Sequence, residues 1–179
     1  MVKAIKSKLN LTHKIILSIV VVTGILAVLG QVYFIMTYKP YKAELSAMVP
    51  TISPDERFIV NKRISKSDLK RGDIITYREE SNRVNFKRII GMPNERIKFD
   101  EGSVVVNGKK LKEPYIKFKD FSSNEVTQIG GNEYYMLGDN RPNSRDSRYY
   151  GPISFDQING KVILIYFPIK NIRLIKNPL

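Results

Sequence analysis

One stretch of this chain is apolar without interruption, and everything after it is apolar only in short runs. Residues 15–36 (IILSIVVVTGILAVLGQVYFIM) carry no charge over 22 positions. At 1.5 Å rise per residue this makes about 33 Å of helix, enough to cross a bilayer core of about 30 Å. A cleavable export signal has a shorter apolar stretch, about 7–15 residues, with a small-x-small site close behind it. This stretch is longer and no such site follows it closely, so the pattern predicts a retained transmembrane helix at 15–36 behind a basic tail at 1–14.

Beyond the span the period changes. Tyr38, Lys39, Pro40, Tyr41 and Lys42 read as a short linker. The domain that follows, placed with the linker at 37–179, shows short runs rich in Val, Ile, Tyr and Phe at 58–60, 73–77, 84–90, 103–106, 133–137 and 161–166. Turn signals separate them: Ser53-Pro54-Asp55, Arg71-Gly72-Asp73, Asn107-Gly108 and Gly130-Gly131. Asn107-Gly108, set between Val104-Val105-Val106 and Lys109-Lys110-Leu111, is the strongest hairpin signal. One or two helical turns are expected near 66–69 and 156–158. The predicted class is mainly β, an antiparallel domain carried behind one N-terminal helix.

Composition narrows the chemistry. The chain has no cysteine and one histidine, His13, which lies before the apolar run. A disulfide scaffold, a thiolate metal site and any nucleophile activated by imidazole in the folded domain are therefore excluded. A hydrolase built on this chain must take its base from Lys, Asp or Glu. The net charge of +13 divides into six lysines without an acid in residues 1–42 and a remainder with 24 basic and 17 acidic residues. The basic residues are scattered, with no interleaved aromatic stripe, so nucleic acid is not an expected partner, and anionic lipid or an anionic cell wall fits the charge instead. Lys3, Lys6, Lys8 and Lys14 precede the span, which predicts a cytoplasmic N-terminus and an extracytoplasmic β domain.

Three segments in order resemble the boxes of type I signal peptidases. They are Ala47-Met48-Val49-Pro50-Thr51-Ile52, Lys87-Arg88-Ile89-Ile90-Gly91-Met92-Pro93, and Gly138-Asp139-Asn140-Arg141-Pro142-Asn143-Ser144-Arg145-Asp146-Ser147-Arg148. Arg71-Gly72-Asp73-Ile74 resembles a further family turn, and the single span is similar to the Gram-positive form. The resemblance implies two antiparallel β regions around a shallow cleft, a serine nucleophile with a lysine base, and no metal or cofactor. A free lysine with a pKa of about 10.4 is protonated at neutral pH, so a lysine base requires burial in an apolar setting. Lys87 matches that base, and Ser144 matches the serine that hydrogen-bonds and orients its amine. Asp146 and Arg148 match an ion pair that braces the loop. Asp139 and Asn140 are expected to hold the turn through bonds to backbone, and Met48 and Pro50 to shape the cleft wall.

The departure lies at the nucleophile. The residue before Met48 should be serine and is Ala47, whose methyl group cannot attack a carbonyl. Ser46 stands one position earlier; in an extended segment it would face away from Lys87. Leu45 replaces a position where some family members carry a hydroxyl that supports the oxyanion. The first expectation is a non-cleaving factor that docks extended signal-peptide-like or pilin segments, as dyad-deficient relatives assist pilus assembly. The alternative is a signal peptidase in which Ala47 is an engineered inactivation or Ser46 substitutes. A chain starting at Met1, anchor included and without a tag, is expected of a natural variant.

Overall fold

The computed structural model describes residues 2–79, 83–118, 120 and 126–179, with side chains from residue 12 onward. It divides into two compact units, residues 1–37 and residues 38–179. The first is a single helix, α1 (Val2–Thr37). Its stretch Thr12–Thr37 contains 18 consecutive residues with a mean hydropathy of 2.6 and is long and apolar enough to cross a membrane. Every residue from Thr12 to Met36 is exposed within the unit, Leu, Ile and Val included. A helix apolar on all sides suits a lipid solvent and not a watery one.

The second unit is built from β1 (Tyr38–Lys42), β2 (Arg57–Asn61), β3 (Ile74–Arg78), β4 (Val84–Gly91), β5 (Arg96–Asp100), β6 (Ser103–Val106), β7 (Lys109–Lys110), β8 (Val126–Gln128), β9 (Glu133–Leu137), β10 (Ile153–Ser154), β11 (Ile158–Phe167) and β12 (Arg173–Leu174), with one short helix, α2 (Ser147–Tyr150). The larger sheet runs β1-β2-β11-β3-β4-β9-β10, with β12 paired to β11; the smaller runs β7-β6-β5-β8. All strand pairs are antiparallel. The unit is mainly β, as its sequence pattern predicts. The short helical segments at Lys66–Asp68 and Phe155–Gln157 are single 3-10 turns near the expected positions. Asn107 and Gly108 both take positive φ, 49° and 80°, and close the expected hairpin between β6 and β7.

One expectation fails at the start of this unit. Tyr38–Lys42, read as a linker, is β1, paired along its whole length with β2. Its two lysines are exposed and its proline removes a ladder donor, which an edge strand tolerates. Tyr41 supplies the anchoring contact, its ring stacked on Phe58 at 5.9 Å.

Three apolar clusters hold the sheets. Ala43, Met48, Ile52, Phe58, Val60, Ile74, Val162 and Ile165 form one. Leu69, Ile75, Tyr77, Ile89, Tyr134, Met136 and Ile153 form another. The third joins Ile90, Tyr135 and Leu137 of the larger sheet to Ile97, Phe99, Val104, Val106 and Ile129. Neighbours Ile74 and Ile75, or Ile89 and Ile90, fall in different clusters because successive strand side chains point to opposite faces. The middle strands are thus buried on both faces, and their sequences read as continuous apolar runs. The same alternation sends Lys87 and Arg88 to opposite faces of β4.

Candidate active site

Lys87 sits mid-strand, paired across the sheet with Ile75 and flanked on its own face by Ile89. Its side chain is 4% exposed. Burial is the chief influence on its amine and lowers the pKa from the usual lysine range, while Asp146 and then Glu79 pull it back up. Its Nζ donates to the carbonyl of Phe86 at 3.3 Å. A weakly bonded, desolvated amine favours the neutral form, the form that accepts a proton.

Ala47 lies in a turn and not in an extended segment. Val49 N donates to Ser46 O at 3.1 Å and Ile52 N to Met48 O at 2.9 Å, so the chain from 46 to 52 is coiled tightly. The face argument for Ser46 therefore does not apply. Ser46 Oγ instead accepts from Asn143 Nδ2 at 2.7 Å. Leu45 is exposed. Met48 is fully buried in the first apolar cluster, so it supports the turn from beneath and does not line an open wall; Pro50 is exposed.

The third box closes over this turn. Asn140 N donates to Ala47 O at 3.0 Å, and Asn140 Nδ2 to Ser46 O at 3.2 Å. Asn140 thus bonds backbone as expected, but that of the Ala47 turn. Ser144 is buried, and its Oγ has no hydrogen-bond partner among the described residues. The expected Ser144–Lys87 bond is not formed. Ser144 comes instead against Gly138, where a β-carbon would stand 2.2 Å from Ser144 Oγ and 2.6 Å from Ala47 O. Only a glycine allows that convergence.

Asp139 departs from expectation, because its carboxylate bonds side chains. It accepts from Arg88 Nε at 2.8 Å, from Arg88 Nη2 at 2.6 Å and from the Thr51 hydroxyl. Arg88 and Asp139 are each 1% exposed, and Arg88 stacks on Tyr115 at 4.1 Å. One ion pair therefore ties all three boxes together through Thr51, Arg88 and Asp139. Their roles escaped sequence reasoning: a pairing across 51 positions leaves no local pattern, and only the adjacency of Arg88 to Lys87 pointed there. Asp146 accepts from Gly138 N at 3.0 Å and from Arg148 Nε at 2.8 Å, and caps α2. Arg148 also pairs with Asp120 at 2.6 Å. Asp146 is buried and neutralised by its arginine, which suits a brace.

The site thus holds a desolvated amine, an unpaired serine hydroxyl and, at the central turn, a methyl group. It can accept a proton but offers no nucleophile at residue 47.

The family model described as signal peptidase, peptidase S26, matches residues 13–167. Signal peptidase I U of Bacillus subtilis (strain 168) is 33% identical over 184 residues, covering 96% of this chain and 96% of that protein. Signal peptidase I T of the same organism is 34% identical over 152 residues, 78% of this chain and 79% of that one. Signal peptidase IB of Staphylococcus aureus (strain MRSA252) is 33% identical over 182 residues, 91% of this chain and 93% of the relative.

Proposed function

We propose that this chain, which belongs to the signal peptidase family, peptidase S26, is a membrane-anchored member that holds extended signal-peptide-like segments without cutting them. The observation that carries this reading is Ala47. It occupies the turn held by Asn140 and Gly138, beside Ser144, and has no hydroxyl. Covalent catalysis needs an activated nucleophile, and Lys87 has no proton to take from a methyl group. Recognition needs less: strand-pairing groups and side-chain pockets do not depend on one oxygen atom. Pilin segments during pilus assembly are one class of extended chain such a cleft would hold.

The retained base favours a second reading. Lys87 is buried and depressed in pKa as a working base would be, which suits a type I signal peptidase whose serine has been replaced. Ser46 is a poor substitute, since its Oγ is engaged as an acceptor by Asn143 Nδ2 and no hydrogen bond joins it to Lys87 among the described residues.

Full-length protein in detergent, given a peptide with alanine at −1 and −3, separates these readings. Saturable binding with no product above the uncatalysed level supports the non-cleaving factor. Cleavage that disappears in Ser46→Ala would sink it, and so would the absence of any binding at millimolar peptide.

A further inference from the structure

A cavity of about 450 Å³ opens near Lys87, lined by Tyr77, Arg78, Glu79, Tyr150, Pro152 and Gln157. Neither the nucleophile turn nor the Arg88–Asp139 brace contributes to it. The cross-strand pairs Ile75–Lys87 and Tyr77–Asn85 put Tyr77 on the same face as Lys87, one row further along. Two strand residues span about 7 Å, which sets Tyr77 one row from Lys87, and Glu79 of the cavity wall lies near enough to act on the Lys87 amine. Small residues facing Ala47 and Lys87 would leave this volume empty, whereas ligand pockets commonly start at about 300 Å³.

The lining is rich in donors. Tyr77 is buried, and Tyr150 is half exposed at 48%. Gln157 spends its carbonyl oxygen on Ser154 N at 3.1 Å, which leaves its amide protons for a ligand. Arg78 is exposed, and Arg145 stands 5.3 Å over the Tyr150 ring. The one carboxylate in the wall, Glu79, already accepts from Asn85 Nδ2. One guanidinium group, two phenols and an amide therefore line a space bounded by aromatic rings, a proline and Ile153. A carboxylate on a flexible methylene stem satisfies both the donors and the apolar walls. A cationic side chain would meet Arg78 at the rim and find the Tyr150 face taken by Arg145.

We propose that this cavity is a side-chain subsite of the peptide cleft and takes an acidic residue, Asp or Glu, of the bound chain. The inference rests on the peptide-holding reading above. Its test is calorimetry on the full-length protein in detergent, with short peptides carrying alanine at −1 and −3. A single Glu, Gln or Ala is moved through each flanking position in turn. At one position Glu should bind about five- to tenfold more tightly than Gln. The double variant Arg78→Gln, Gln157→Ala should erase that difference while leaving the all-alanine peptide unchanged, which also shows that the fold is intact. Arg78→Glu should turn the preference at that position toward Lys. Equal binding of Glu and Gln peptides at every position would overturn the subsite and leave the peptide-holding reading standing. A preference that survives the double variant would place it elsewhere and overturn the assignment. No binding of any peptide would remove both.

Discussion

Ser144 Oγ and the carbonyl oxygen of Ala47 both close on Gly138, at 2.2 and 2.6 Å from the point where a β-carbon would stand. Neither can retreat freely. Ala47 O is held by Asn140 N at 3.0 Å, and Ser144 is buried. Gly138→Ala should therefore force the Ala47 turn and the third box apart. Overpacking of this kind costs about 1–3 kcal/mol, and each kcal/mol lowers the midpoint of a domain this size by about 2–4 °C. Thermal unfolding in detergent should show the drop, and peptide binding should weaken with it. An unchanged midpoint with unchanged binding would mean that the two segments are not packed as described.

Lys87 makes a prediction about pH. Burial lowers its pKa in the folded chain below the unfolded value. Between those two values the unfolded chain carries the proton and the folded one does not, so stability rises with pH across that window. Full stability is present above the unfolded value, is lost as pH falls through the folded value, and stays lower beneath it. Lys87→Met keeps the shape and removes the titration. The variant should be more stable than the parent near neutral pH, and the gap should narrow as pH climbs toward the ordinary lysine range. Denaturant midpoints of the pair at several pH values measure this. A gap that stays constant or widens with pH would show that the amine is not desolvated.

The lysines ahead of the span make a prediction about orientation. If Lys3, Lys6, Lys8 and Lys14 are cytoplasmic, as the positive-inside bias predicts, residues beyond about Lys39 would lie outside the cell membrane. Protease added to protoplasts should digest the β domain while the cells remain intact. Protection of that domain until lysis would reverse the assignment.

The parts legible in the sequence were those with local signatures. The uncharged run of 15–36 falls within α1, and Asn107-Gly108 sits where positive φ is needed. Central strands announced themselves because both faces are buried. Edge strands did not: β1 mixes proline and lysine, and its burial comes from two tyrosines. β5 has no continuous apolar run, although Arg96, Ile97, Lys98, Phe99 and Asp100 alternate strictly between exposed and buried, the period a half-buried strand requires. At the site, the boxes could be found by spacing but their wiring could not. Asp139 meets Arg88 and Thr51 across long separations, and the turn at Ala47 depends on Asn140 and Gly138 from the far end of the domain.

The substitution that tests the site most directly is Ala47→Ser. The new hydroxyl would stand on the turn that Asn140 holds, with Ser144 packed against the same glycine. Ser144 Oγ has no bond to give up, so it is free to donate to either the new hydroxyl or the Lys87 amine. Lys87, depressed by burial, can then take the serine proton as general base. Attack on the scissile carbonyl would pass that proton through Lys87 to the leaving amine, and water would release the acyl group by the same route. Signal-peptide cleavage should become detectable, and its rate should rise with pH as Lys87 deprotonates. Leu45 offers no hydroxyl to the oxyanion, and one missing donor of that kind lowers kcat by about 10²–10³. The recovered rate should therefore be low, and Leu45→Ser should raise it further. Ala47→Ser combined with Lys87→Ala should be inactive. A folded Ala47→Ser protein that binds peptide yet never cleaves it would show that Lys87 cannot reach residue 47, and the non-cleaving reading would then rest on two lesions instead of one.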